Sequence, residues 1–494
     1  MREKLSGLGP VAAIFVALLA TALTVRGRAA DQDTEWRAYG GDHTAKKYSP
    51  LTQINKDTVK NLRIAWRQSA TPLEVREGPN APIPYNYENT PLMVGGLLYM
   101  STGYGSVAAL DPATGKVIWF DSPAAIRDQS PVVPPAPGEP TPPGQAPRVR
   151  GTPSRSVAYW TDGTDARIIA ITGQSLVALN ARTGKRYAAF GANGEVDLSK
   201  AYERDMGGGY KWGGPPIVVR DVIVVGGLAG DASDVVSERQ RARMQTPPGD
   251  VRGFDVRTGK RLWTFRTVPQ PGEFGSDTWL KDSWAYSGNA GIWGFMSADE
   301  ELGYVYLPIE SALDYFGGTH PGDNLFSDSI VCLDAKTGKR IWHFQANHHG
   351  FWDYDFTTAP VLGEATVNGR RVKLLAEASK QGFAYVLDRV TGKPVWPIEE
   401  RPVPKGHVPG EWYSPTQPFP TRPPAYEQQG VSADDLIDFT PELKREAMEI
   451  VSQYNHGPLF TPFEIPGTPE GKKGTILMPS SIGGTNWNGP AFDP

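Results

Sequence analysis

One cysteine, Cys332, is all the thiol chemistry available in 494 residues. No intrachain disulfide can form, so a fold exported to an oxidising compartment would rest on its core alone. No C-x-x-C-H stretch occurs, which excludes a covalently attached c-type haem. No cysteine follows the amino-terminal apolar run to carry a lipid anchor. A basic surplus is missing too: 50 Lys and Arg stand against 54 Asp and Glu, a net charge of -4, so a nucleic-acid partner has no electrostatic footing. The long apolar run at residues 11–25 falls short of the roughly 20 residues that span a bilayer. Arg2 and Lys4 precede it and Ala29 and Ala30 follow, the layout of a secretory signal cleaved near those alanines. An uncleaved anchor is the alternative. The expected division is a signal or anchor over residues 1–30 and one exported unit over 31–494.

What is plentiful is glycine (55), proline (45) and tryptophan (14), a turn-rich composition. The tryptophans follow a repeat. "ALDPATGKVIW" (109–119), "ALNARTGKRYA" (178–188), "GFDVRTGKRLW" (253–263), "CLDAKTGKRIW" (332–342) and "VLDRVTGKPVW" (386–396) share one pattern. A strand ends in Asp or Asn, Thr-Gly-Lys follows after two residues, and a second strand is usually closed by Trp. This is a β-hairpin: Gly supplies the positive φ of the turn and the Asp or Asn side chain bonds nearby backbone. The Trp offers a flat face to wedge between neighbouring sheets. Copies about 55 to 80 residues apart suit four-stranded blades, and radial repetition of blades is a β-propeller.

Two stretches interrupt the pattern. Residues 131–147 are proline-rich and read as a surface loop. Thr440 followed by Pro441 makes a helix start, so one peripheral helix is expected within 434–454. The end of the chain, "GGTNWNGPAFDP", reads as the opening of another hairpin, which predicts a propeller incomplete at its carboxyl end.

"HHGFWDYD" (348–355) places two acids among aromatics just after a predicted strand. An unpaired buried carboxylate is costly, so Asp353 is expected to be paired, metal-bound or functional; a plain turn aspartate is the competing reading. The pair His348-His349 invites a metal reading, but without further histidines nearby a strand-end role fits better.

Together these segments resemble the pyrroloquinoline-quinone (PQQ) dependent dehydrogenases, the quinoproteins, from about Trp36 to the end. "YSPLTQINKDTVKNLRIAW" belongs to the likeness, and "KQGFAYVLDR" with "GDNLFSDSIVCLD" is similar to the glucose-dehydrogenase-like branch. The resemblance implies an all-β, eight-bladed propeller and a PQQ cofactor with calcium or another divalent cation. It implies Asp353 as catalytic base, and Lys380, in "SKQGFAYVLDR", at the quinone carbonyls. Trp293, in "GNAGIWGFMSAD", would be the stacking floor. Glu88 would meet the quinone edge and Arg155 its carboxylates. Asp231 and Ser311, with Asp353, would bind the metal, Glu310 compensating for the poor ligand Ser311. The adjacent cysteines that methanol-oxidising members carry before the Arg155 position are replaced by "VRGTPS". The implied activity is oxidation of a sugar or alcohol in the periplasm, with electrons passing to membrane quinone or a separate cytochrome c. A non-catalytic scaffold and a truncated, inactive quinoprotein are the alternatives.

Overall fold

The computed structural model describes residues 35–77, 82–84, 87–123, 154–200, 214–227, 247–312, 317–467 and 471–494. The expected signal segment, the proline-rich loop at 131–147 and Asp231 lie outside them.

Every Thr-Gly-Lys turn is built alike. Asp111 Oδ1 accepts from Ala113 N (3.0 Å), Thr114 N (2.8 Å) and Thr114 Oγ1 (2.8 Å), and Gly115 turns at φ +72°. Asn180, Asp255, Asp334 and Asp388 bond their own turns in the same way. The short polar side chain satisfies turn amides that no strand could reach.

Four antiparallel four-stranded sheets follow one another along the chain. The first holds β1 (Leu92–Val94), β2 (Leu97–Ser101), β3 (Val107–Leu110) and β4 (Val117–Asp121). The second holds β5 (Ala158–Thr161), β6 (Ala166–Thr172), β7 (Ser175–Asn180) and β8 (Glu195–Asp197). The third holds β9 (Ile217–Val219), β10 (Val222–Val225), β11 (Val251–Asp255) and β12 (Arg261–Phe265), and the fourth β13 (Ser297–Asp299), β14 (Tyr304–Pro308), β15 (Ser329–Asp334) and β16 (Arg340–Gln345). A fifth sheet has three strands, β17 (Val361–Val367), β18 (Arg370–Ala378) and β19 (Ala384–Asp388). A separate hairpin, β20 (Ile398–Pro402) and β21 (Thr416–Pro420), comes next. The described residues thus form five blades of a β-propeller. The expected helix is present at Pro441–Val451, with the Thr440 side chain accepting from Leu443 N at 3.3 Å.

Strand alternation explains how the blades stack. Ile168 and Ala170 of β6 join the layer against the first sheet, and Ile169 and Ile171 the layer against the third. Because both faces are covered, residues 168–171 of β6 are all apolar. Tryptophans seal the layers. Trp119 donates to Ala181 O (2.9 Å), Trp263 to Ala335 O (2.9 Å) and Trp342 to Arg389 O (3.1 Å), each one blade ahead. Each indole lies on the turn glycine of that next blade, Gly184, Gly338 or Gly392. Trp66 docks likewise on Pro112 O and Gly115. Register shifts opposite Ile118, Leu262 and Ile341 turn these residues outward, 41 to 46% exposed, as the following Trp turns in.

Two copies of the repeat depart from the full hairpin. After Thr-Gly-Lys the fifth has Pro394, which lacks a ladder N–H, and only a single bridge to Leu387 remains. The second, without a closing Trp, bridges Leu179 to Arg186 and takes Glu195–Asp197 as its outer strand. At the carboxyl end residues 480–492 run without strand pairing to Phe492, whose N bonds Lys46 O (2.9 Å). There they meet the amino-terminal segment. It pairs Trp36 with Met93 of β1, while His43 O and Thr44 O accept from Ala298 N of β13 and Leu362 N of β17 (2.8 Å each).

Candidate active site

The innermost strands converge where the segment after β16 crosses the axis. Its aromatic residues explain why two aspartates stand there. Trp352 and Tyr354, each 2% exposed, point into the layer between the fourth and fifth sheets, and their rings are nearly parallel. Trp352 Nε1 donates to Thr461 O (2.8 Å) and the Tyr354 hydroxyl to Pro479 O (2.7 Å). With the aromatics anchored on one side, Asp353 and Asp355 both meet Lys380 on the other. Asp353 takes the left-handed conformation at φ +62°, as His349 (+54°), Asp328 (+49°), Asn289 (+55°) and Ala290 (+49°) do nearby. Such conformations cost on the order of 1 kcal/mol or more each and gather where the surroundings enforce them.

Lys380 occupies the tight turn between β18 and β19, closed by Gly382 N to Ser379 O (3.0 Å), and is 4% exposed. Its Nζ stands 2.9 Å from Asp355 Oδ2 and 3.2 Å from Asp353 Oδ1. Burial alone would lower the lysine's pKa, but the charges of Asp355 and Asp353 outweigh it and hold the ammonium above its ordinary range. Burial pushes the other way on Asp355, yet Lys380 and the Ser311 amide keep this carboxyl below its usual value. Asp353, its side chain 27% exposed, is the more open of the two acids.

Trp293 is half-buried just before β13. It does not dock on a neighbouring turn; its Nε1 donates to Asp355 Oδ2 at 3.2 Å. Two cations flank the indole: Lys380 Nζ lies 5.6 Å and the Arg155 guanidinium 5.0 Å from the ring centre. Arg155 pairs with Glu88 (2.9 Å), donates to Trp293 O (2.7 Å) and also faces the Trp487 ring at 5.5 Å. Burial lowers its pKa, opposed by Glu88 and Glu310.

Ser311 does not offer a free hydroxyl: its Oγ donates to Asp328 Oδ1 (2.7 Å) and its amide to Asp355 Oδ1 (2.9 Å). Glu310 is 3% exposed and accepts from Gly291 N (3.1 Å). Among the described residues no three acidic, imidazole or thiol side chains converge as a metal site. His349, fully buried, faces Glu411 Oε1 (3.2 Å) and Gly322 O (2.9 Å).

The structure therefore brings Trp293, Lys380, Asp353, Arg155, Glu88 and Ser311 into one neighbourhood. Asp355, Asp328 and Trp487 belong to it and were not singled out by sequence reasoning. Asp355 had a signal, its place two residues after Asp353 among the same aromatics in "WDYD". Trp487 had none, because only the return of the carboxyl end to the axis brings it to Arg155.

Comparison with known proteins gives the family. The model of the PQQ family described as glucose/ethanol/alcohol dehydrogenase, beta-propeller domain, matches residues 36–494. The quinoprotein glucose dehydrogenase of Escherichia coli is 32% identical over 478 residues, 94% of this chain and 55% of the relative. The glycerol dehydrogenase large subunit of Gluconobacter oxydans is 31% identical over 475 residues, 93% and 58% respectively. A solved quinohemoprotein alcohol dehydrogenase from Pseudomonas putida shares 28% identity with a TM-score of 0.56, over 75% of this chain and 49% of the other. The chain spans about half the length of the curated relatives it matches.

Proposed function

Since the chain belongs to the PQQ-dependent glucose/ethanol/alcohol dehydrogenase β-propeller family, we propose that it oxidises a sugar or alcohol hydroxyl with bound PQQ. The observation that carries this reading is the Lys380 ammonium held between Asp353 and Asp355 beside the Trp293 indole.

The residues present fit a flat, triply anionic group. Trp293 offers a ring face, Lys380 and Arg155 supply positive charge, and the buried Ser154 hydroxyl beside Arg155 has no hydrogen-bond partner among the described residues. PQQ, when bound, supplies an ortho-quinone that accepts the hydride equivalent from the substrate carbon. Trp293 would set the height of the ring, and Arg155, relieved in part of Glu88, would hold a carboxylate. The Lys380 ammonium would face a quinone oxygen and stabilise negative charge there. Asp353, 3.2 Å from the same ammonium, would take the proton from the substrate hydroxyl. Asp355 keeps the lysine charged and aimed.

Calcium or another divalent cation is the proposed companion on the side of Asp353 and Glu310, whose carboxylate oxygens suit a hard ion. In this structure the charge between Asp353 and Asp355 is the Lys380 ammonium, and the described donors do not close around a metal. We further propose export to the periplasm and electron transfer to membrane quinone or a separate cytochrome c.

The test is titration of the purified chain with PQQ, with and without calcium, followed through tryptophan fluorescence, then dye reduction with aldoses, polyols and primary alcohols. Saturable quenching and turnover of one substrate class are expected. Absence of PQQ binding in both conditions would overturn the reading.

A further inference from the structure

We propose that the β20–β21 hairpin positions the candidate base: Gln417 and Glu411 grip His348 and His349, and so set the direction in which Asp353 leaves the chain. This rests on the reading of Asp353 given above. Gln417 is fully buried on a hairpin whose first strand is largely exposed. Its amide forms a closed pair with one backbone unit, Oε1 accepting from His348 N (2.7 Å) and Nε2 donating to His348 O (2.7 Å). A side chain here does what a neighbouring strand would do.

One residue further on, the His349 ring faces the Glu411 carboxylate at 3.2 Å, and Glu411 Oε2 accepts from Gly317 N (2.8 Å). The hairpin is itself tied to the fifth sheet, because the Tyr385 hydroxyl donates to Pro418 O (3.2 Å).

From this grip the path to Asp353 is short and has little slack. A Cβ on Gly350 would collide with Asp328 and Asn347, so the backbone passes hard against them. Phe351 and Trp352 stack at 3.8 Å, and the bond from the Tyr354 hydroxyl to Pro479 O (2.7 Å) fixes the downstream end. Asp353 therefore keeps its left-handed conformation between two pins. Releasing the upstream pin would let the chain relax toward ordinary φ values and swing the carboxylate off Lys380. Misplacement by about 1 Å is enough to lower a rate ~100-fold. Gln417 and Glu411 touch neither the indole nor the ammonium, so this effect should leave cofactor binding alone.

The experiment compares the full chain with its Gln417→Met variant, which keeps the shape and removes both bonds. Two readouts are taken: hydrogen exchange of the peptide covering 346–356, and kcat, KM and PQQ affinity. Exchange in 346–356 is expected to rise at least ~10-fold while peptides from β6 and β7 stay unchanged. Turnover should fall ~10-fold or more with KM and PQQ affinity within ~3-fold of the parent. Unchanged exchange in 346–356 overturns the proposal, as does a parallel loss of PQQ affinity and turnover, which marks general loosening. If the parent itself neither binds PQQ nor turns over, the proposed function fails and the exchange readout still decides the grip. Should Gln417→Met not fold, Glu411→Gln, of nearly the same shape, carries the same comparison.

Discussion

Lys380 Nζ lies 2.9 Å from Asp355 and 3.2 Å from Asp353, so one ammonium serves two acids two residues apart. The two acids have different surroundings. Asp355 is buried with both oxygens bonded, whereas Asp353 keeps part of its surface open. A proton acceptor must be reachable, and Asp353 is the reachable one.

Asp353→Asn should therefore abolish most turnover while sparing the cofactor site. A general base contributes about 10²- to 10⁴-fold, so kcat should drop by that range. PQQ affinity, followed by tryptophan quenching, should stay within ~3-fold because Trp293 and Arg155 are untouched. Full turnover in this variant would remove Asp353 from its proposed role.

Asp355→Asn should act through Lys380. The lysine keeps Asp353 but loses its nearer charged partner, and hydrogen bonds to charged groups are worth about 1.5 to 3 kcal/mol. Unfolding in urea at neutral pH should show a loss of that order. The pH dependence has a definite sign. Asp355 has a folded pKa below its unfolded value near 4, so its contribution is present above about pH 4 and lost as pH falls through the folded pKa. The gap between parent and variant should thus shrink in acid; a gap that widens there would contradict the assignment.

The parts of the molecule legible in sequence are those decided locally. The Asp-x-x-Thr-Gly turn bonds within four residues, so five copies could be read from letters alone, and the docking of each Trp follows from its fixed offset. Pro394 breaks the fifth hairpin, and its consequence, a blade without an outer strand, needed the register. Long-range contacts were illegible. Gln417 and His348 are 69 residues apart, and nothing in either segment announces their pairing. The course of the Trp487 region was equally illegible, because packing against Tyr39 and Lys47 decides its path: Tyr39 donates to Asn488 O at 2.6 Å.

Blade docking predicts a contrast between two glycines. Gly392 turns at φ +73°, and an added Cβ would lie 2.6 Å from the Trp342 indole. Gly163 turns at φ +93° with nothing within 4 Å of such a Cβ. Both alanine variants carry the backbone strain, about 1 kcal/mol or more, but only Gly392→Ala also displaces an indole. Urea midpoints should show Gly392→Ala destabilised by about 1 to 3 kcal/mol more than Gly163→Ala. Equal losses would mean the indole does not depend on that close approach.

Asp328 gives the last expectation. It is fully buried beneath the site, receiving the Ser311 hydroxyl, and burial followed by the charge of Asp355 raises its pKa to about 7. A carboxyl whose folded pKa exceeds its unfolded value near 4 favours the folded state fully only below pH 4, and that advantage drains away as pH rises toward 7. Each pKa unit corresponds to about 1.4 kcal/mol, so several kcal/mol should be lost across this window. Asp328→Asn keeps an oxygen for Ser311 and has nothing to ionise. Without added cofactor or divalent cation, its melting temperature should gain on the parent's between pH 5 and pH 8. A parent–variant difference that stays constant across that interval would show that Asp328 is already ionised in the folded protein, and that Lys380 balances three carboxylates rather than two.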